Sequence, residues 1–105
     1  MRRAAIFALA ALLSATSAAA AGDPKIVRVC KVLDEVVAKA RAEKPDPDTM
    51  QMWVVFGLAS EFEDDMTYLG EFAGNADELT EPVCPEARAA VIEITGKSSL
   101  SAVVR

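Results

Sequence analysis

The sequence predicts an all-α protein, a small bundle of three principal helices plus a short C-terminal helix, stapled by one disulfide. Apolar residues recur at spacings of three and four along two long stretches, and prolines and glycines fall where those stretches begin and end. No pair of alternating apolar segments flanks a turn of the kind that makes a β-hairpin, and no internal repeat is present.

The first residues are expected to lie outside the fold. Arg2 and Arg3 form a short basic region, Ile6 to Leu13 an apolar run too short to span a bilayer as an ordinary helix, and Ser14 to Ala21 a tract of small residues with A-x-A cleavage sites. This pattern reads as a secretory signal peptide over residues 1–21, followed by one small helical domain over residues 22–105. The expected location is the periplasm or the outside of the cell.

Asp23 is placed to cap a first helix that opens on Pro24, a favoured position for proline. Ile26, Val29, Cys30, Leu33, Val36, Val37 and Ala40 share one face, with Lys25, Arg28, Lys31, Asp34, Lys39 and Arg41 largely opposite, and the helix is expected to end near Glu43. Pro45, Asp46 and Pro47 make a stiff connector that turns the chain back on itself. The central helix is expected to run from Asp48 to Ala73, capped by Asp48 with Gln51 completing a capping box. Its inward stripe reads as Met52, Val55, Ala59, Phe62, Met66, Leu69 and Ala73. Gly57 interrupts this helix, which calls for a neighbouring backbone or ring at close range, and Gly70, Gly74 and Asn75 mark its end. Asn75 to Glu81 reads as a polar loop with room for a helical turn around Ala76 to Leu79. Pro85 opens a third helix to Thr95 with Ala87, Ala90, Val91 and Ile94 inward, Gly96 closes it, and Ser98 or Ser99 can cap a last short helix through Leu100, Val103 and Val104.

Removing the leader leaves about 84 residues, a domain with a limited core. Cys30 and Cys84 are the two cysteines, and in an oxidising compartment an isolated pair is most simply one structural disulfide. The loop it closes, about 55 residues, corresponds to roughly 4 kcal/mol of chain entropy.

Loss of Arg2 and Arg3 also leaves nine basic against sixteen acidic side chains, a formal net charge of −7. That balance argues against nucleic acid and anionic membranes as partners. Eleven carboxylates fall between Pro45 and Ala87 with no Lys or Arg among them. The ordinary reading is a solvated face. The sharper one is a pH-sensitive middle, with Glu61, Glu63, Asp64 and Asp65 as its sensing carboxylates, because protonation leaves the basic charges unopposed.

Histidine is missing from the sequence, which removes the commonest general base and metal ligand. With both cysteines in a disulfide there is no thiolate nucleophile, and no two carboxylates stand out as an acid–base pair. The expectation is therefore a non-enzyme, with no catalytic residues, no metal site and no cofactor. Glu61, Asp64 and Asp65 lack the pattern of a calcium loop, and the methionines are better placed for packing than for copper. From Met52 to Ala59 every residue is apolar or glycine. Such a run is either the deep centre of the fold or a surface that another chain covers, so Met52, Trp53, Val54, Val55, Phe56 and Leu58 are the candidate client- or partner-binding residues.

The layout resembles the HdeA-like family of periplasmic acid-stress chaperones. The likeness is carried by Cys30, Lys31 and Leu33 early in the first helix, by Trp53, Gly57, Glu61, Glu63, Asp64 and Asp65, by Cys84, and by a final Leu100, Ala102 and Val103. The resemblance implies a dimer at neutral pH that comes apart and partly unfolds in strong acid, exposing apolar surface to denaturing proteins without ATP. The rival expectation is a secreted binding module with one fixed protein partner, such as an inhibitor, an immunity protein or an accessory subunit.

Overall fold

The structure is a computed structural model that describes residues 23–105. The expected leader, 1–21, lies outside the described residues. Among the described residues every regular element is helical.

Helix α1 spans Pro24–Glu43. Asp23 accepts the Lys25 amide at 2.9 Å, and the helix closes on Lys44, whose φ of 51° is left-handed and whose N–H returns to the Ala40 carbonyl at 2.7 Å. Pro45 then forbids continuation. Helix α2 spans Pro47–Glu61. Its cap is Asp46, which accepts the Thr49 amide at 2.8 Å, and not Asp48 as the sequence suggested. Proline at the first helical position moves the start forward and leaves Asp48 in the first turn, where its charge still favours the helix dipole.

The expected continuous helix from Asp48 to Ala73 is two helices. Phe62 leaves helical geometry at φ −112° and ψ 28°, and Asp65 starts helix α3, Met66–Thr80, by accepting the Tyr68 amide at 3.3 Å. Glu63, Asp64 and Asp65 supply the cause: consecutive like charges gain nothing from a helix, and an aspartate side chain competes for free amides as a cap. Helix α3 also runs past its expected end. Gly70 and Gly74 sit inside it, Asn75 (φ −126°, ψ 20°) kinks it, and the helical turn expected around Ala76 to Leu79 is its last part, running through Thr80 in place of a separate loop.

Helix α4 spans Pro85–Thr95 and ends on left-handed Gly96, φ 69°; helix α5 spans Leu100–Val104 and is capped by Ser99, which accepts the Ala102 amide at 3.0 Å. Among the described residues the bundle therefore has four substantial helices and a short fifth, one more than the sequence indicated.

Helices α1 and α2 run antiparallel. Arg28 meets Glu61, Val32 and Val36 face Gly57, and Lys39 lies over Trp53, so one number rises as the other falls. The close approach expected at Gly57 is made by valine side chains and not by a ring or a backbone. Every helix feeds one core: Val29 and Leu33 of α1, Met50, Val54 and Leu58 of α2, Phe72 and Ala76 of α3, Val91 of α4, and Leu100 and Val103 of α5, with Phe62 at the turn. The Cys30–Cys84 disulfide joins α1 to the residue that precedes α4, with Cα atoms 5.9 Å apart.

Candidate binding groove

The stripe assigned inward from the sequence is a surface. On α2 the core face follows Met50, Val54 and Leu58, four residues apart, so Val55, Ala59 and Met52 lie on the adjoining face of the helix. The turn at Phe62–Asp65 folds α3 against that face. Val55 and Ala59 on one side and Met66, Leu69 and Ala73 on the other now oppose each other across a groove of about 140 Å³. The buried Leu58 and Val104 of α5 complete its lining. Of the seven stripe residues only Phe62 is fully buried. The reason is the apolar run itself: with no polar residue between Met52 and Ala59, helical periodicity cannot tell which face turns inward.

Met66, which lines the groove, is 55% exposed, and on α2 Phe56 is 63% and Met52 48% exposed without lining it. Large apolar side chains this open, on the two helices that form an apolar groove, are candidates for an interaction surface. The six candidate residues divide accordingly. Met52 and Phe56 are exposed, Trp53 and Val55 are half-buried, and Val54 and Leu58 belong to the core. Trp53 is covered on its α1 side by Lys39, whose Nζ stands 4.1 Å from the ring centroid.

Glu61, Glu63, Asp64 and Asp65, the carboxylates expected to sense pH, lie together at the α2–α3 turn, and α1 reaches two of them. Lys25 Nζ donates to Asp65 Oδ2 at 3.0 Å. Arg28 donates to Glu61 twice, from Nε to Oε2 at 3.2 Å and from its terminal nitrogen to the main-chain carbonyl at 2.6 Å. Both cations also cover aromatic rings, Arg28 over Phe62 at 4.4 Å and Lys25 over Tyr68 at 4.7 Å. The Lys25 ammonium and then the Tyr68 N–H hold the Asp65 carboxyl below the ordinary range. Glu63 and Asp64 are exposed at the tip of the turn. The acidic middle is thus partly neutralised in space by a helix remote in sequence.

Sequence reasoning missed Asp77. From the middle of α3 its Oδ1 accepts Arg88 Nε of α4 and the Leu100 amide of α5, both at 2.8 Å, while Oδ2 accepts the Ser101 amide at 3.1 Å. Burial pushes its carboxyl up, but the amides of Leu100 and Ser101 and the Arg88 guanidinium outweigh that and leave it below the usual value. No local pattern announces this role, because every partner is eleven or more residues away.

Among the described residues no three His, Cys, Asp or Glu side chains gather as a metal site. The Tyr68 hydroxyl is buried with no hydrogen-bond partner among the described residues, and burial raises its pKa. No helix among the described residues is long and apolar enough to cross a membrane. No known protein family, curated protein or solved structure matches the chain.

Proposed function

We propose that this is a secreted, non-enzymatic protein-binding domain that acts as an ATP-independent, acid-activated chaperone. Its α2–α3 groove is the surface that takes apolar stretches of unfolding proteins, and it needs no cofactor. The observation that carries this reading is the groove itself, with Met66 of its lining more than half exposed and Phe56 exposed elsewhere on α2. An apolar face of this kind is costly to leave in water, and a second copy of the chain is the simplest cover for it at neutral pH.

The charge layout supplies the acid response. Full protonation of the carboxylates takes the chain without its leader from a formal −7 to about +9 before its termini are counted, so like-charge repulsion works against compactness. It also removes the anionic partners of Lys25 and Arg28 at the α2–α3 turn, which frames the groove. The Cys30–Cys84 bond limits how far the chain can expand.

The test is light scattering of an aggregating client at pH 2.5 and at pH 7, with and without the disulfide-intact domain. Suppression in acid, absent at pH 7 and weakened by Phe56→Asp, is the expected result; no suppression at either pH refutes the chaperone reading.

A second reading, a binding module for one fixed protein partner, is favoured by the groove being open in the fully folded chain. Such a module stays inert toward random clients in acid and captures one partner at neutral pH, with loss of capture in Phe56→Asp.

A further inference from the structure

Helix α5 has five residues, too few to hold a helix in water on its own. It is kept in place by other elements. Leu100 and Val103 are fully buried among the other helices, the Gln51 side chain of α2 donates to the Val103 carbonyl at 2.9 Å, and Asp77 of α3 accepts the first two amides of the helix. The chain leading into α5 is permissive: Gly96 is left-handed, and Lys97 and Ser98 are exposed. Among these holding contacts, the carboxylate of Asp77 is the one that a proton can remove.

We propose that α5 is a displaceable latch held by Asp77. When that carboxylate is protonated α5 lifts, and the cleft that held Leu100 and Val103 becomes continuous with the α2–α3 groove. The enlarged site fits an apolar helical segment with two anchors three residues apart, the spacing of the two side chains it releases. The link between the two is Val104, which belongs to α5 and also lines the groove. The proposal rests on the groove being the binding surface, as argued above.

The charged groups around Asp77 give the direction. From α4 the facing group is Arg88; α5 brings no charged side chain, only the amides of Leu100 and Ser101; α2 brings the neutral Gln51 to the far end of α5; on its own helix Glu78 lines the same shallow pocket. With Asp77 neutral, the Arg88 guanidinium and the Leu100 and Ser101 amides lose the anionic acceptor they share. The same contacts keep the carboxyl ionised through mild acid, so the latch opens only in strong acid.

The experiment is amide hydrogen exchange of the whole disulfide-bonded domain, without any client, at pH 7 and pH 2.5, read as protection factors. The Val103 and Arg105 amides, which bond to Ser99 and Ser101, report α5, and the Arg88 amide, bonded to Cys84, reports α4. The expected result is a tenfold or greater loss of protection in α5 at pH 2.5 while α4 keeps its own. The same loss should appear at pH 7 in Asp77→Asn and not in Asp46→Asn, which removes a charge from the cap of α2. If α5 and α4 lose protection together in the wild type, or if Asp77→Asn leaves α5 protected at pH 7, the latch is overturned. A wild type that loses α5 protection in acid yet suppresses no aggregation would refute the chaperone and leave the latch standing.

Discussion

A Cβ built on Gly57 would stand 3.0 Å from Val32 Cγ1, so α2 meets α1 where only a hydrogen atom fits. Val32 is buried and β-branched, with little freedom to move aside. Gly57→Ala should therefore destabilise the domain by about 1 kcal/mol, the overpacking cost exceeding the helix-propensity gain of alanine. Gly74 has nothing within 4 Å of the same built atom, and Gly74→Ala should instead add up to about 1 kcal/mol. Urea midpoints of the two variants at pH 7 check the opposite signs.

Reduction of Cys30–Cys84 should be the largest single loss available without touching the core. The bond spans 54 residues, and chain entropy assigns it roughly 4 kcal/mol, a large part of what a domain of this size holds in reserve. Thermal melts of the Cys30→Ser, Cys84→Ser double variant beside the oxidised wild type measure it; a midpoint within a few degrees of wild type would show that the core suffices alone.

What the sequence disclosed and what it hid divide along physical lines. Helices α1 and α4 were legible to their ends because Pro24 and Pro85 open them, Gly96 closes the second, and polar residues mark the outer face of the first. The disulfide was legible from two cysteines alone. The α2–α3 region was not. Its apolar run conceals the inward face, and its break depends on Asp65 acting as a cap and on Lys25 and Arg28 arriving from a helix 33 to 40 residues away. The groove is the direct product of that break, so reading one long helix turned a surface into a core. Asp77 was hidden for the same reason, since its partners are brought to it by the fold and not by its neighbours.

Acid should unfold this domain from below the ordinary aspartate range. Asp46, Asp65 and Asp77 all have carboxyls held down in the folded state: Asp46 by the Thr49 amide and hydroxyl, Asp65 by Lys25 and the Tyr68 amide, and Asp77 by helix amides and Arg88, which outweigh its burial. A depressed folded-state value contributes stability that is present above the unfolded value of about 3.8 and is lost as pH falls through the folded one. Urea midpoints should thus be nearly level from pH 7 to pH 5 and fall steeply below pH 4. Asp77→Asn should shift the whole curve down, by about 1.5–3 kcal/mol at pH 7 for hydrogen bonds to a charged group, and flatten its acid limb. An Asp77→Asn curve parallel to that of wild type down to pH 2 would assign the acid response to other carboxylates.

Phe56 and Leu58 lie two residues apart in the same helix and should behave in opposite ways. Phe56 is 63% exposed, so Phe56→Asp removes little that the folded state uses and should change stability by no more than about 0.5 kcal/mol. Leu58 is in the core and lines the groove, so Leu58→Ala should cost about 2–5 kcal/mol. Binding reverses the order of interest. A partner or client that covers the exposed apolar side chains of α2 loses contact with Phe56 while the bundle stays intact, so capture or aggregation suppression should drop several-fold in Phe56→Asp at unchanged melting temperature. Equal activity of Phe56→Asp and wild type would move the binding surface off this face, whatever Leu58→Ala does, because the Leu58 variant reports the fold and the Phe56 variant reports the surface.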